Sequence, residues 1–592
     1  MRQEALLNGF WSFITDEKEI GKAKKWFEKA PKEVGDHYVP GCWNLQDPKY
    51  FRYEGVAWYF NKFHVSQDMK NKKIDIIFEA VHYYSEVWLN GKYLGKHTGG
   101  FTRFNFDITK VVQIGKPNIL AVRVDSRLSE TTMPVPGSDW FNYSGIVRDV
   151  RLLATGKVYC SDIYVKTKID GRIKAIVECT NKLASNQDVT VTVAICNKEL
   201  EQVAEKSMNL SVKSNASGKT ELDFKLDKPH LWELSDPYLY KVHVSVKKYG
   251  EAIDKLSIDM GIREISTRGL QILFNGRPIK IHGVSRHEDH PQFGRTIPQS
   301  AIYKDYQLAK DLNANMIRLA HYPHDPKEIE VANNIGMFVM EEIPNAFLMK
   351  PQLADKKMLE LAKQQLRELI MRDRNNPSII FWGLAIECET ETVPGMKFMK
   401  ELTELARELD DTRLLLHAAL ALDKDKSYKY VDVMGVNTFD AWYNDMPFTA
   451  PGIFLDRVHK KFPNKPIIFT SHGADSIYGL HSREKVMWSE EFQAEYIQKI
   501  GDDVIKRDYL SGECIWHLMD FRVMKQSENK YFLKFLDLGM RNRKKNYQYL
   551  KRPGEYNLKG IVDTFRRPKL VYKVVQDLYK RWDDLEKKLN RS

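Results

Sequence analysis

The sequence predicts two β-sandwiches followed by a (β/α)8 barrel, on three observations. Residues 1–155 and 156–263 consist of short runs of alternating apolar and polar residues separated by turns, the period of strands with one buried face. After Gly261-Ile262-Arg263 the period changes, and apolar strands alternate with amphipathic helices over 264–592, as in a parallel sheet wrapped by helices. The 592 residues exceed what one hydrophobic core organises and suit roughly three domains.

In the first region, Ala57-Trp58-Tyr59-Phe60, residues 73–78 and Ser85-Glu86-Val87-Trp88-Leu89 read as strands, and Asn90-Gly91 after the last is a hairpin turn. Residues 118–124 form a further strand, so 1–155 is an all-β sandwich. In 156–263 the runs 173–177, 189–193 and 240–244 alternate with period two, which suits a smaller immunoglobulin-like sandwich. Eight barrel strands follow at 279–283, 316–320, 337–342, 378–387, 413–419, 431–438, 466–471 and 513–520, with helices such as 356–374 and 490–507 between them.

Composition narrows the classes. Hydrophobic residues are 43% and charged residues 29%, which excludes a disordered, collagen-like or coiled-coil chain. No apolar run approaches the roughly 20 residues of a membrane span, and no secretory leader pattern opens the sequence. A cytoplasmic or already processed protein is expected, with no membrane partner. The cysteines at 42, 160, 179, 196, 388 and 514 are widely spaced, without a C-x-x-C pair, so buried thiols are expected rather than disulfides or a zinc site. The net charge of +12 permits an anionic substrate. Nucleic-acid binding would rest on little beyond that charge and the basic run 541–545, which reads as a solvated loop; no nucleic-acid partner is expected.

Catalytic groups of such barrels sit at the C-terminal ends of the strands. Those ends carry Arg286-His287-Glu288-Asp289, Arg318 and His321, Glu341-Glu342, Glu387, Asn437 with Tyr443 beyond it, Ser471-His472 with Asp475, and Trp516 with Asp520. Carboxylates, histidines and tryptophans converging on one rim suit carbohydrate chemistry, in which rings stack on sugars and carboxyl groups act as acid, base or nucleophile. Glu387 is the sharpest candidate, because it closes an otherwise apolar strand. A carboxyl group there should have a raised pKa, as a general acid needs.

These motifs resemble glycoside hydrolase family 2, and within it the β-glucuronidases. Leu7-Asn8-Gly9-x-Trp11, Pro40-Gly41-x-Trp43-Asn44, Trp88-Leu89-Asn90-Gly91 and Asp139-Trp140-Phe141-Asn142-Tyr143 resemble the family's sugar-binding jelly-roll domain. Arg286-His287-Glu288, Arg318-x-x-His321-Tyr322-Pro323 and Asn375-x-Pro377-Ser378 resemble its barrel. The resemblance implies Glu387 as acid/base. It implies Asn557-x-Lys559, Asp139, Tyr443 and Arg552 as a uronic-acid site, with His287, His321, Asn437 and Trp516 also lining the substrate. It further implies a homo-oligomer (dimer or tetramer), a small or oligosaccharide glycoside as partner, and neither cofactor nor metal.

Two departures stand out. The Asn that precedes the acid in the family is Ile386 here, and the family's nucleophilic Glu is Ser471. A retaining glycosidase needs two carboxyl groups about 5 Å apart, and serine supplies none. His472 should point away from Ser471, because neighbouring strand residues face opposite ways. Three readings follow. In the first, a glycosidase of altered mechanism uses water and a second carboxylate drawn from Asp475, Glu341, Glu342 and Asp440. In the second, a pseudoenzyme binds glucuronides or acidic glycans without cleaving them. In the third, the nucleophile has been replaced by design. The segment 522–556 reads as an insertion able to reshape the mouth of the site.

Overall fold

The computed structural model describes residues 1–419, 424–524 and 552–591. The basic run 541–545 and most of 522–556 lie outside the described residues. The chain forms two compact units, one of residues 1–127, 143–263 and 372–377, the other of 128–142, 264–371 and 378–592.

The first unit holds both sandwiches. In the jelly-roll sandwich a six-stranded sheet orders Gly35–Val39, Gly9–Thr15, Val56–His64, Pro117–Asp125, Tyr84–Leu89 and Lys92–Thr98. Its four-stranded partner orders Gln3–Leu6, Val150–Thr155, Lys73–Phe78 and Phe104–Asp107. The Asn90-Gly91 turn forms as expected, with Leu89 paired to Lys92 and both turn residues at positive φ. That is the backbone a two-residue hairpin requires, and Asn and Gly accept it most readily. The immunoglobulin-like sandwich packs a three-stranded sheet on a four-stranded one. Val189, Val191, Val193 and Ile195 alternate into its core against Val242, Val244 and Val246.

The second unit is a closed barrel of eight parallel strands: Ile281–Arg286, Met316–Leu319, Phe338–Glu342, Ile379–Ile386, Leu414–Ala418, Val433–Asn437, Ile467–Ser471 and Leu510–Ile515. The first and last differ from the sequence reading. Arg277–Ile279 belongs to a three-stranded antiparallel sheet with Ile265–Arg268 and Gln271–Phe274, so the barrel begins later. The eighth strand is expected at 513–520 and instead begins at Leu510 and ends at Ile515. Within it Gly512 is a close-approach residue: at φ +145°, a Cβ there would lie 1.9 Å from the carbonyl oxygen of Ile281 on the first strand. Glycine lets the two strands that close the barrel meet.

All six cysteines are buried and free, as their spacing suggested. Among the described residues no helix is long and apolar enough to cross a membrane. Gly512→Ala should lower stability by about 3 kcal/mol, from backbone strain and displacement of Ile281 together. An unchanged melting temperature would show that the two strands do not approach this closely.

Candidate active site

The fourth strand ends in a local irregularity. Pairing to the fifth strand shifts register between Gly383 and Ile386, and Glu387 follows at φ +53°. A non-glycine residue in this region costs roughly 1–2 kcal/mol, and such outliers cluster where a side chain must be aimed. The Glu387 carboxylate accepts a 2.8 Å hydrogen bond from Asn437 Nδ2 at the end of the sixth strand. Thr470 Oγ1 of the seventh strand donates to Asn437 Oδ1 at 2.7 Å and fixes the amide's orientation. Burial raises the Glu387 pKa to about 7, with a smaller contribution from Asp139; the Asn437 bond and Arg318 act in the opposite sense.

Beside this acid lies a buried cation. The Arg318 guanidinium, fully enclosed, donates from Nε to Glu342 Oε1 at 2.8 Å. From Nη1 it donates to the Thr470 carbonyl at 2.9 Å and to Ser471 Oγ at 2.8 Å. The second oxygen of Glu342 lies 2.8 Å from His321 Nδ1. Although burial favours the neutral form of Glu342, Arg318 and His321 prevail and hold its pKa below the usual value. Burial also lowers the pKa of His321 and outweighs its carboxylate neighbour, so the imidazole is neutral at neutral pH. His321 stacks on Trp516 with ring centres 4.9 Å apart. Trp140 and His287 pack at its edges, at 5.9 and 5.4 Å. His472 turns away from Ser471, as strand alternation requires. Its Nε2 lies 2.9 Å from Glu513 and its ring stacks on Phe469, so it does not activate the serine.

A second group of residues is richer in charge. Lys559 Nζ binds Asp475 and donates to Tyr443 OH at 3.0 Å. The ammonium lies 4.8 Å from the Tyr443 ring centre and 5.4 Å from that of Trp442. Asp139 is gripped by both terminal nitrogens of Arg552, at 2.6 and 2.7 Å, and accepts from Asn557 Nδ2 at 3.3 Å. The influence of Asp139 on both Glu387 and His321 ties this group to the acid.

The structure therefore gathers Glu387, Asn437, Ser471, His321, His287 and Trp516 at one rim, and joins Asp139, Arg552, Asn557, Lys559 and Tyr443 through ion pairs. Ile386 is buried, and its backbone bonds Asn345 and Phe347; its side chain offers no polar atom. Arg286 is no rim residue. It is buried against Asp305 at 2.9 Å and against Glu328, both on helices of the outer layer. Of the four candidate second carboxylates, Glu342 and Asp475 are held by cations. Asp440 accepts from Asn444 at 2.8 Å, and Glu341 lies on the strand face opposite Glu342. Glu288, His324 and Glu328 bring potential metal ligands within 4.8 Å of one another. Arg286 already neutralises Glu328, however, and Arg295 lies 3.9 Å from Glu288. The sequence reading places Arg318 at a strand end but gives it no role, and meets Trp140 only within a motif of the first domain. A lone arginine inside the apolar strand Met316–Leu319 was the available signal for the first.

Comparisons with known proteins agree with this architecture. Family models for glycosyl hydrolases family 2 match along the chain: the sugar binding domain at 5–156, a further family 2 model at 158–263 and the TIM barrel domain at 265–552. A β-glucuronidase of Bacteroides fragilis is 30% identical over 560 residues, covering 89% of this chain and 77% of that one. A solved β-glucuronidase of Ruminococcus gnavus, in complex with a C6-substituted uronic isofagomine, superposes with a TM-score of 0.86 at 27% identity over 98% of both chains. A β-galacturonidase of Eisenbergiella tayi, bound to galacturonate, superposes with a TM-score of 0.85 at 29% identity over 98% of this chain and 97% of that one. The chain belongs to glycosyl hydrolases family 2.

The raised pKa of Glu387 has a thermodynamic consequence. Between its unfolded value near 4.5 and its folded value of about 7, the native state holds a proton that the unfolded chain releases. Stability is therefore lost as pH rises through that window. Glu387→Gln removes this loss, so the variant should gain on the wild type by on the order of 2–3 kcal/mol between pH 5 and 8. Paired thermal melts at the two pH values test it. A constant difference between the proteins would mean that Glu387 titrates normally.

Proposed function

We propose that the site binds a β-linked hexuronic acid, and that Glu387 protonates the departing glycosidic oxygen. The observation that carries the proposal is the acid itself. Its carboxyl group is raised to about 7, aimed by a left-handed backbone and oriented by Asn437, and so is protonated in a large fraction of molecules near neutral pH, as suits a general acid. The charged group supplies the second half of the reading. An ammonium among aromatic rings, on a segment whose Asn557 side chain accepts from the Lys559 backbone N–H, suits a sugar carboxylate. Lys559 retains donor capacity beyond Tyr443 and Asp475. The relatives whose names specify glucuronides and galacturonides support this class of sugar.

Without a carboxylate at 471, the covalent glycosyl-enzyme route of a retaining enzyme is closed. The proposed reaction is attack by water from the Ser471 side as Glu387 donates its proton. It should be slow, because Arg318 and His321 hold the Glu342 pKa below its usual value and make it a weak base, and Asp475 is tied to Lys559. The same pairing favours a second reading, in which the protein binds uronides and does not cleave them.

Incubation with an aryl β-D-glucuronide, followed through the anomeric proton by NMR, separates the two. Hydrolysis should yield the inverted α-anomer first, vanish in Glu387→Gln and weaken at least tenfold in Lys559→Met, the worth of a charge-assisted hydrogen bond. Glucuronide line broadening without release would establish the binder, and neither signal would remove the uronide reading. Ser471→Glu combined with Ile386→Asn should create or raise aryl β-glucuronidase activity, with the β-anomer released first. A folded but inert double variant would show that these are not the two altered catalytic positions.

A further inference from the structure

The segment that carries Asn557 and Lys559 has little regular structure of its own. Tyr556–Asn557 pairs as a short strand, and the three residues after it are held by other means. The Leu558 N–H donates to Asp475 Oδ1 at 2.8 Å, the Lys559 N–H to Asn557 Oδ1 at 3.2 Å and the Gly560 N–H to Asp520 Oδ1 at 2.8 Å. The Lys559 and Gly560 carbonyls accept from Gln493 Nε2 at 3.2 and 3.1 Å. A Cβ at 560 would lie 2.2 Å from the backbone nitrogen of Asp520, so the chain approaches the loop after the eighth strand this closely only as glycine. Buried backbone groups need partners, and here side chains supply most of them.

One buried cation ties the segment to both neighbouring loops. Lys569 Nζ donates to the Leu558 carbonyl at 2.9 Å, to the Ser476 carbonyl beyond the seventh strand at 2.8 Å and to Asp520 Oδ1 beyond the eighth at 2.8 Å. Its side chain is fully enclosed. An ammonium has three donors, so every one is committed to the protein and none is left for a ligand. Lys559 differs, because Tyr443 and Asp475 take two of its donors and leave a third. The Leu558 carbonyl belongs to the peptide that leads into Lys559. That unit is planar, so holding the carbonyl fixes the Cα from which the Lys559 side chain departs.

We propose that Lys569 is a positioning residue, which locks residues 557–560 onto the loops after the seventh and eighth strands and thereby aims Asn557 and Lys559 at the carboxylate of the sugar. The aiming rests on the uronide reading; the lock does not.

Lys569→Met keeps the apolar stem and removes the ammonium. Binding of methyl β-D-glucuronide to the full-length protein, followed by NMR, should weaken by about tenfold or more, the worth of a charge-assisted hydrogen bond. Methyl β-D-glucoside, which lacks the carboxylate, should bind as weakly to the variant as to the wild type. Equal weakening of both sugars would mean that Lys569 only supports the barrel, and undiminished glucuronide binding in the folded variant would equally overturn the proposal. Loss of the ammonium strands Asp520 in the interior. Lys569→Met combined with Asp520→Asn removes both charges, keeps an oxygen for the Gly560 N–H and serves if the single variant fails to fold. Amide exchange at Leu558 and Gly560 tests the lock without any sugar. It should quicken by about tenfold or more in either variant, the expected response of a locally loosened segment, and unchanged exchange would overturn the lock. A wild type that shows no preference for the glucuronide would count against the uronide reading, and the exchange result would still decide the lock.

Discussion

One buried cation organises the rim of the barrel. Arg318 projects from the second strand, binds Glu342 of the third and reaches Thr470 and Ser471 of the seventh. A guanidinium cannot remain in a dry interior unpaired. The three strand ends are therefore held at separations that serve the arginine, and the residues beside them inherit those positions. Through Thr470 the constraint passes to Asn437, and through Asn437 to Glu387. Through Glu342 it passes to His321 and onto the Trp516 ring. Removing one partner of such a pair costs several kcal/mol, because the other charge is stranded. Ser471 belongs to the same frame, because its hydroxyl oxygen accepts from the arginine.

The fold was largely legible in the sequence, because strand period and helix period are local signals. Residues 73–78 alternate and form a strand at those bounds, and Asn90-Gly91 turns where its backbone preference directs. Legibility failed where tertiary closeness overrides composition. The eighth strand is expected from 513, yet it begins at Leu510 and includes Gly512, where the neighbouring strand's backbone leaves no room for a Cβ. Ile279 reads as the start of the first barrel strand because it alternates with Ile281, and nothing local marks the change of sheet between them.

The site was legible in identity and much less so in connection. Glu387 stood out as an acid at the end of an apolar wall, and the structure encloses it there. Arg286 and Arg318 each lie near the end of a barrel strand in similar contexts, yet one faces the helices and the other the interior. Strand alternation decides this only once the register is known. The pairings Lys559 with Asp475 and Arg552 with Asp139 join residues far apart in the chain, and no spacing rule predicts them.

The origin of the Glu387 pKa decides whether it depends on a second carboxyl group. In a pair of close carboxyl groups, each raises the pKa of the other by like-charge repulsion, and the acid depends on its partner to stay protonated. Here burial is the first cause, and the one carboxylate that adds to it is Asp139, which is itself neutralised by Arg552. The acid is set by its walls. The raised value therefore needs no carboxyl group at position 471, where Ser471 offers only a hydroxyl bound to Arg318, and a glutamate placed there would raise Glu387 further rather than create its shift.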